Sequence, residues 1–148
     1  PGAACRFNGS ESVGLKFEYT PRITKDGYDL EPGLDIVLTN PSNRRSVELR
    51  CLVDSGAADI ILNAGIAGIL GLQESPRGRS FQGITGEPVK ATLHKLLIRI
   101  KQDTKEYEVE CYFMPGLKST GLLGQRGFFE NYKVVFERHK NQFEVTPQ

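Results

Sequence analysis

The chain has 148 residues, of which 39% are hydrophobic and 25% charged, and its formal net charge is +1. This size and composition predict one globular domain with a hydrophobic core and exclude a disordered chain. The balanced charge argues against a nucleic-acid partner and against an acidic membrane surface. The longest apolar stretch, residues 60–72, contains three glycines and is too short to span a membrane.

The N-terminal part of the chain is the least regular. Residues 1–30 are weakly patterned and are interpreted as an N-terminal arm, whereas residues 31–148 are expected to form the domain. Residues 13–19 alternate apolar and polar side chains, which indicates a strand. Pro21 and residues 25–27 instead indicate a loop. The arm is expected either to be flexible or to pack on a partner.

The remainder of the chain predicts about ten short strands and one or two small helices. The predicted strands are residues 34–39, 46–53, 59–62, 79–82, 88–93, 96–100, 107–113, 121–124, 133–136 and 142–145. The predicted helices are residues 64–70, which Asn63 would cap, and residues 125–130. Many short strands with few helices predict a mostly β domain that is closed like a barrel or folded on itself.

A glycine-tipped hairpin is predicted between the strands at residues 79–82 and 88–93. Its tip, residues 83–86, reads Gly-Ile-Thr-Gly. Glycine tolerates the backbone angles of a turn and can absorb motion, so a mobile hairpin is expected. An ordinary β-turn is the alternative. Arg77 and Arg79, which precede the tip, are interpreted as solvated loop charges.

The cysteine and histidine residues argue against a metal centre. The three cysteines are widely spaced without a Cys-x-x-Cys motif, and the chain has only two histidines, so no zinc site is expected. Cys51 and Cys111 lie in apolar strand patterns that indicate buried thiols, which favours a reducing compartment. We therefore expect a cytoplasmic protein. Because the chain begins at Pro1 rather than Met, an excised targeting segment is the alternative.

The strongest chemical signal is the motif Asp54-Ser55-Gly56-Ala57, which directly follows the predicted strand 46–53. Burying an unpaired carboxylate is costly, so an acid at this position suggests a use. The neighbouring hydroxyl and glycine suggest that the acid is held in place. Asp54 is therefore the candidate catalytic residue, and a turn aspartate before a glycine is the alternative. No second Asp-Ser-Gly or Asp-Thr-Gly triplet occurs in the chain.

Along the chain, the Asp-Ser-Gly loop is followed by an Ile-Ile-Leu strand, the glycine-tipped hairpin and Leu122-Leu123-Gly124. This order resembles that of the retropepsins, the retroviral-type aspartic proteases, and especially their bacterial and cellular relatives. The resemblance covers roughly residues 34–145. It implies a closed β-barrel-like fold and an aspartic endopeptidase that cuts protein or peptide substrates without a metal or another cofactor. It also implies a homodimer in which Asp54 faces its own copy. The expected dimer surface is the Asp54 motif with the terminal strands, residues 142–145 included.

The resemblance further implies roles for the neighbours of Asp54. Ser55 would hydrogen-bond across the two loops of the dimer, and Gly56 and Ala57 would leave room for the substrate backbone. A flap would close over the substrate and exclude water. The residues that match the flap are Phe81, Gly83, Ile84, Thr85 and Gly86.

The chain departs from the family pattern at one place. Many members carry an Asp after the Ala and an Arg after the Leu-Leu-Gly glycine, and these two residues form an ion pair beside the active site. Here Ala58 and Gln125 occupy the two positions, while Asp59 and Arg126 each follow one residue later. We hypothesise a shifted Asp59–Arg126 pair, against which stands the reversal of side-chain direction at each step along a strand. The departure also keeps open a catalytically silent peptide-binding or dimerisation module of the same fold.

Overall fold

The computed structural model describes residues 13–82 and 86–148, and these residues are mostly in strands. The strands in the described part of the chain are β1 (Leu15–Glu18), β2 (Thr20–Thr24), β3 (Gly27–Glu31), β4 (Gly33–Thr39), β5 (Ser46–Val53), β6 (Ile60–Asn63), β7 (Gly78–Gln82), β8 (Pro88–Ile100), β9 (Tyr107–Met114), β10 (Gly121–Leu123), β11 (Tyr132–Glu137) and β12 (Gln142–Pro147). A short helix, α1 (Gly65–Ile69), follows β6, and a single 3₁₀ turn (Arg138–Lys140) joins β11 to β12.

Six of these strands close into a barrel. Their order is β4-β5-β10-β6-β9-β8, and β8 pairs back onto β4 to complete the ring. β7 adds to β8 as an edge strand, so the β7–β8 hairpin extends from the barrel wall. The closed, mostly β architecture predicted from the sequence is therefore confirmed.

The hydrophobic core lies inside the barrel because its strands turn alternate apolar side chains inward. In β4, the side chains of Leu34, Ile36 and Leu38 are fully buried, whereas those of Asp35 and Val37 between them are half-buried. Each fully buried Leu or Ile contributes about 1.5–3 kcal/mol relative to an exposed one. The remaining fully buried large side chains include Ile60, Leu62, Leu70, Leu96, Ile98, Phe113, Phe128, Tyr132 and Phe143.

Two small sheets flank the barrel. β12 lies between β1 and β11 in a three-stranded sheet, and β2 pairs with β3 in a hairpin. The strand indicated by residues 13–19 is confirmed as β1. The loop predicted at residues 25–27 is confirmed as a turn at Lys25 and Asp26, whereas the loop predicted at Pro21 is wrong because Pro21 lies in β2. A two-stranded hairpin leaves each strand one unpaired edge, where the missing N–H of proline is tolerated.

Two further predictions need correction. The strands predicted at residues 88–93 and 96–100 form one continuous strand, β8. The helix predicted at residues 125–130 is wrong, since Arg126 is extended (φ −78°, ψ 131°) and Gly127 has a φ of +90°. The segment Gln125–Phe129 is therefore an irregular turn, here called the 125–129 turn. The other short helix is present as α1, and the Asn63 side chain accepts a hydrogen bond from the backbone N–H of Gly65 (2.9 Å).

Candidate active site

The segment of residues 54–59, here called the Asp54 loop, leaves the barrel where β5 ends. β10 runs parallel to β5, with Leu122 opposite Leu52 and Leu123 opposite Val53. The backbone N–H of Asp54 continues this pairing by donating to the carbonyl oxygen of Leu123 (3.0 Å). Two paired strands thus fix the point at which the acidic residue leaves the sheet.

Local hydrogen bonds hold the Asp54 carboxylate. Its Oδ1 accepts a hydrogen bond from the backbone N–H of Gly56 (2.9 Å), and its backbone carbonyl accepts one from Ala57 (3.1 Å). The residue is half-buried, and the neighbouring Ser55 and Gly56 are exposed. Within residues 13–82 and 86–148, Oδ2 of Asp54 accepts no hydrogen bond. The turn therefore anchors one carboxylate oxygen while the loop carries the residue at the protein surface.

The 125–129 turn clamps the Asp54 loop. The backbone N–H groups of Gln125 and Arg126 donate to the carbonyl oxygens of Ala57 and Ala58, both at 2.9 Å. The Gln125 side chain also donates from Nε2 to the carbonyl oxygen of Ser55 (2.7 Å). At this departure from the family pattern, the neutral Gln125 therefore binds the backbone of the Asp54 loop. Neither Ala58 nor Gln125 carries a charge that needs a partner.

Asp59 is the centre of an ion-pair network at the other end of the loop. It is only 5% exposed, so its carboxylate requires charged or hydrogen-bonding partners. Arg126 binds it through two bonds, Nε to Oδ1 at 2.7 Å and Nη2 to Oδ2 at 3.0 Å. The hypothesised Asp59–Arg126 pair is confirmed. The objection from strand alternation does not apply, because Asp59 precedes β6 and Arg126 lies in an irregular turn.

A second guanidinium contacts the same carboxylate. Arg79 on β7 donates from Nη2 to Oδ2 of Asp59 at 2.8 Å. The interpretation of Arg79 as a solvated loop charge is therefore wrong. Arg77 does fit that interpretation, since it forms an exposed ion pair with Glu110 (2.8 Å). The sequence does hold a signal for Arg79: it lies two residues before Phe81 and so shares one face of β7 with an aromatic ring.

The contact with Asp59 affects the protonation of Arg126 as well as its position. The hydrogen bond to Asp59 raises the pKa of Arg126 above its ordinary value, and the nearby negative charge of Asp59 adds to the shift. The charged form of Arg126 is therefore the one that binds the loop across the pH range in which proteins fold.

The predicted flap residues are only partly described. Gly83, Ile84 and Thr85 lie outside the described residues. Phe81 is half-buried on β7, with its ring edge-on to that of Tyr112 on β9 (centroids 5.3 Å apart). Gly86 is exposed, and its φ of +84° is one that residues with a side chain rarely adopt.

The described residues give little support to a metal centre, a membrane-spanning helix or a reactive thiol. Residues 13–82 and 86–148 contain no group of three His, Cys, Asp or Glu side chains placed to hold a metal ion. In the same ranges, no helix has both the length and the apolar character needed to cross a membrane. Cys51 and Cys111 are buried free thiols, and burial raises the pKa of Cys51 to about 12 and that of Cys111 still further. Neither thiol is thus suited to act as a nucleophile.

Comparison with known proteins gives a family match and matches to solved structures. The aspartyl protease family model matches residues 43–126, a range that includes the Asp54 loop, the β7–β8 hairpin and Arg126. A crystal structure of a retropepsin-like aspartic protease from Rickettsia conorii is similar, with 21% identity and a TM-score of 0.61 over 89% of this chain and 98% of that one. The EIAV protease complexed with the inhibitor HBY-793 matches with 20% identity and a TM-score of 0.39, over 64% of this chain and 81% of that one. No curated protein matches the chain.

Proposed function

The chain belongs to the aspartyl protease family, with a retropepsin-like fold, and from this premise we propose that two copies of it form one peptide-cleaving site in which Asp54 faces Asp54 of the second copy. The observation that carries the proposal is the single Asp-Ser-Gly triplet in the chain, presented at the surface by a loop that two strands and a clamping turn hold. One chain supplies one such carboxyl group, and an aspartic dyad requires two.

The proposed chemistry follows from the repulsion between two carboxylates in contact. Because like charges at this distance do not both ionise readily, the two copies of Asp54 share one proton. The ionised carboxylate accepts a proton from a water molecule, and the oxygen of this water attacks the peptide carbonyl carbon. The protonated carboxyl hydrogen-bonds the carbonyl oxygen and then helps to protonate the leaving nitrogen. Since one group must be ionised and the other protonated, activity is expected to rise and then fall with pH.

The neighbouring residues have supporting roles in this proposal. Ser55 is exposed, and its hydroxyl would hydrogen-bond to the loop of the second copy. Gly56 and Ala57 would leave space for the substrate backbone. The β7–β8 hairpin would cover the bound peptide, with Phe81 on its stem and residues 83–86 at its tip.

Cleavage of a peptide library by the wild-type chain and by Asp54→Asn tests the proposal. The substitution keeps the size of the side chain but removes the group that activates water, so we expect a loss of at least about 100-fold in kcat. Asp26→Asn, in the exposed turn between β2 and β3, is the matched control and should cleave like wild type. Cleavage that persists in Asp54→Asn contradicts the mechanism. Binding of peptides without cleavage by wild type would instead select the silent binding module.

A further inference from the structure

We propose that Arg79 is a positioning residue that fastens the β7–β8 hairpin to the Asp54 loop through Asp59. The contact joins two parts of the molecule that the backbone does not connect directly. Arg79 lies on β7, the edge strand of the sheet, and its Nη2 atom is 2.8 Å from Oδ2 of Asp59. The attachment does not depend on catalysis, but its effect on substrate rests on the proposed function.

The environment of Arg79 holds its guanidinium in one orientation. The guanidinium carbon lies 4.4 Å from the ring centroid of Phe81 and 5.0 Å from that of Tyr112. The planar cation thus contacts two aromatic rings while its edge donates to a buried carboxylate. Lysine offers the same charge without the planar group, so it would reproduce only part of this arrangement.

β7 has few other attachments to the rest of the fold. Its backbone pairs only with β8 among the described strands, and four of its five residues, all except Phe81, are exposed. An edge strand with one neighbour depends on side-chain contacts for its position relative to the barrel. Arg79 and Phe81 supply such contacts on the face of β7 that is turned toward Tyr112 and Asp59.

Because Asp59 has two arginine partners, the effect of Arg79 on the hairpin can be measured separately from an effect on folding. Arg126 binds both oxygens of Asp59 without help from Arg79, so the buried carboxylate keeps a charged partner when Arg79 is removed. We therefore expect Arg79→Ala to fold, with local loosening of the hairpin. Removal of Arg126 would disturb both Asp59 and the 125–129 turn, and it would be harder to interpret.

The test uses Arg79→Ala and Arg79→Lys, with Arg77→Ala as the matched control. Arg77 lies two residues earlier, and within the described part of the chain its side chain forms only the exposed ion pair with Glu110. Backbone hydrogen exchange of Gly78–Gln82 is expected to quicken by about tenfold in Arg79→Ala, which corresponds to about 1.4 kcal/mol. It should quicken less in Arg79→Lys and stay at the wild-type rate in Arg77→Ala.

Kinetics then test the role in the reaction. If the hairpin contacts bound peptide, Arg79→Ala should raise KM by about tenfold and lower kcat by a smaller factor, with partial recovery in Arg79→Lys. Unchanged backbone hydrogen exchange in Arg79→Ala would overturn the proposal that Arg79 fastens the hairpin. Faster exchange with wild-type KM and kcat overturns the positioning role. If wild type cleaves no peptide, the proposed function fails, and exchange alone still decides whether Arg79 fastens the hairpin.

Discussion

At the scale of single residues, Gly124 shows why the Asp54 loop and the 125–129 turn can lie so close together. A Cβ atom at this position would lie 2.3 Å from the carbonyl oxygen of Asp59 and 2.5 Å from that of Ala57. Both are backbone atoms of the loop and cannot rotate away. The glycine thus permits the turn to form its hydrogen bonds with the loop.

We expect Gly124→Ala to lower the free energy of unfolding by about 1–3 kcal/mol, the usual cost of forcing atoms into a packed site. It should also reduce activity, since the loop must move to accommodate the methyl group. Gly68→Ala is the control, because a Cβ there meets no atom within 4 Å and alanine favours the helix. Urea unfolding of both variants measures the difference. A Gly124→Ala protein as stable as wild type would contradict the close approach.

Residue 59 shows how far reasoning from the sequence reaches at this scale. A shifted partner for Asp59 was predictable, because the family pattern places an ion pair beside this position and Arg126 is offset by the same single residue. The second partner was not, since Arg79 is 20 residues away in sequence, and the face that it shares with Phe81 gives its direction but not its partner. Contacts between segments far apart in sequence depend on which strands pair, and the local pattern does not specify this pairing.

At the scale of elements, the predictions succeeded where one physical pattern dominates. β5 has the predicted boundaries, residues 46–53, because alternation of buried and exposed side chains continues to the polar Asp54. The prediction is wrong where a single turn-favouring residue lies inside a strand, as Pro21 does in β2. It also failed at residues 125–130, where helix-compatible residues adopt irregular angles because Gly127 takes a positive φ.

An ion pair separate from the Asp59 network joins β4 to β5, and it makes the stability of the fold depend on pH. Asp35 lies opposite Arg50, and the guanidinium donates to both carboxylate oxygens at 2.9 and 3.0 Å. This hydrogen bonding lowers the pKa of Asp35 below its ordinary value of 3.8. Since the folded-state pKa is depressed, the stabilisation is present above the unfolded-state pKa and is lost as the pH falls through the folded-state value.

Asp35→Asn should therefore be less stable than wild type near pH 7, by about 1 kcal/mol at most because Arg50 is half-exposed. The difference should shrink as the pH is lowered below about 4. Thermal unfolding across pH 2–7 measures it, with Asp26→Asn as the control that should follow wild type throughout. A difference that stays constant down to pH 2 would show that the Asp35 pair does not contribute in this way.

At the scale of the whole molecule, the position of β12 restricts how two copies can meet. Residues 142–145 were expected to contribute to the dimer surface. In the structure, β12 pairs with β1 along one edge and with β11 along the other. Its backbone groups are therefore used within the chain, and it cannot add a strand from a second copy. Any contribution of β12 to a dimer must come from its side chains.

Mixing wild type with Asp54→Asn tests whether two chains share one active site. If each site requires an Asp54 from both copies, a mixed dimer holds a single carboxylate and should be inactive. Random exchange in an equal mixture leaves about a quarter of the dimers wild type on both sides, because the pairing is symmetric. Activity at constant wild-type concentration should therefore fall to about half as the inactive chain is added in equal amount, and continue to fall with further addition.

The control is the same addition of Arg77→Ala, which retains Asp54 and should increase the activity instead. Wild type alone should show a specific activity that rises with its concentration until dimers saturate, because association precedes catalysis. Sedimentation of the same samples reports whether mixed dimers form. If they form and activity is unaffected by Asp54→Asn, each chain works with its own carboxyl group, and the shared dyad is excluded.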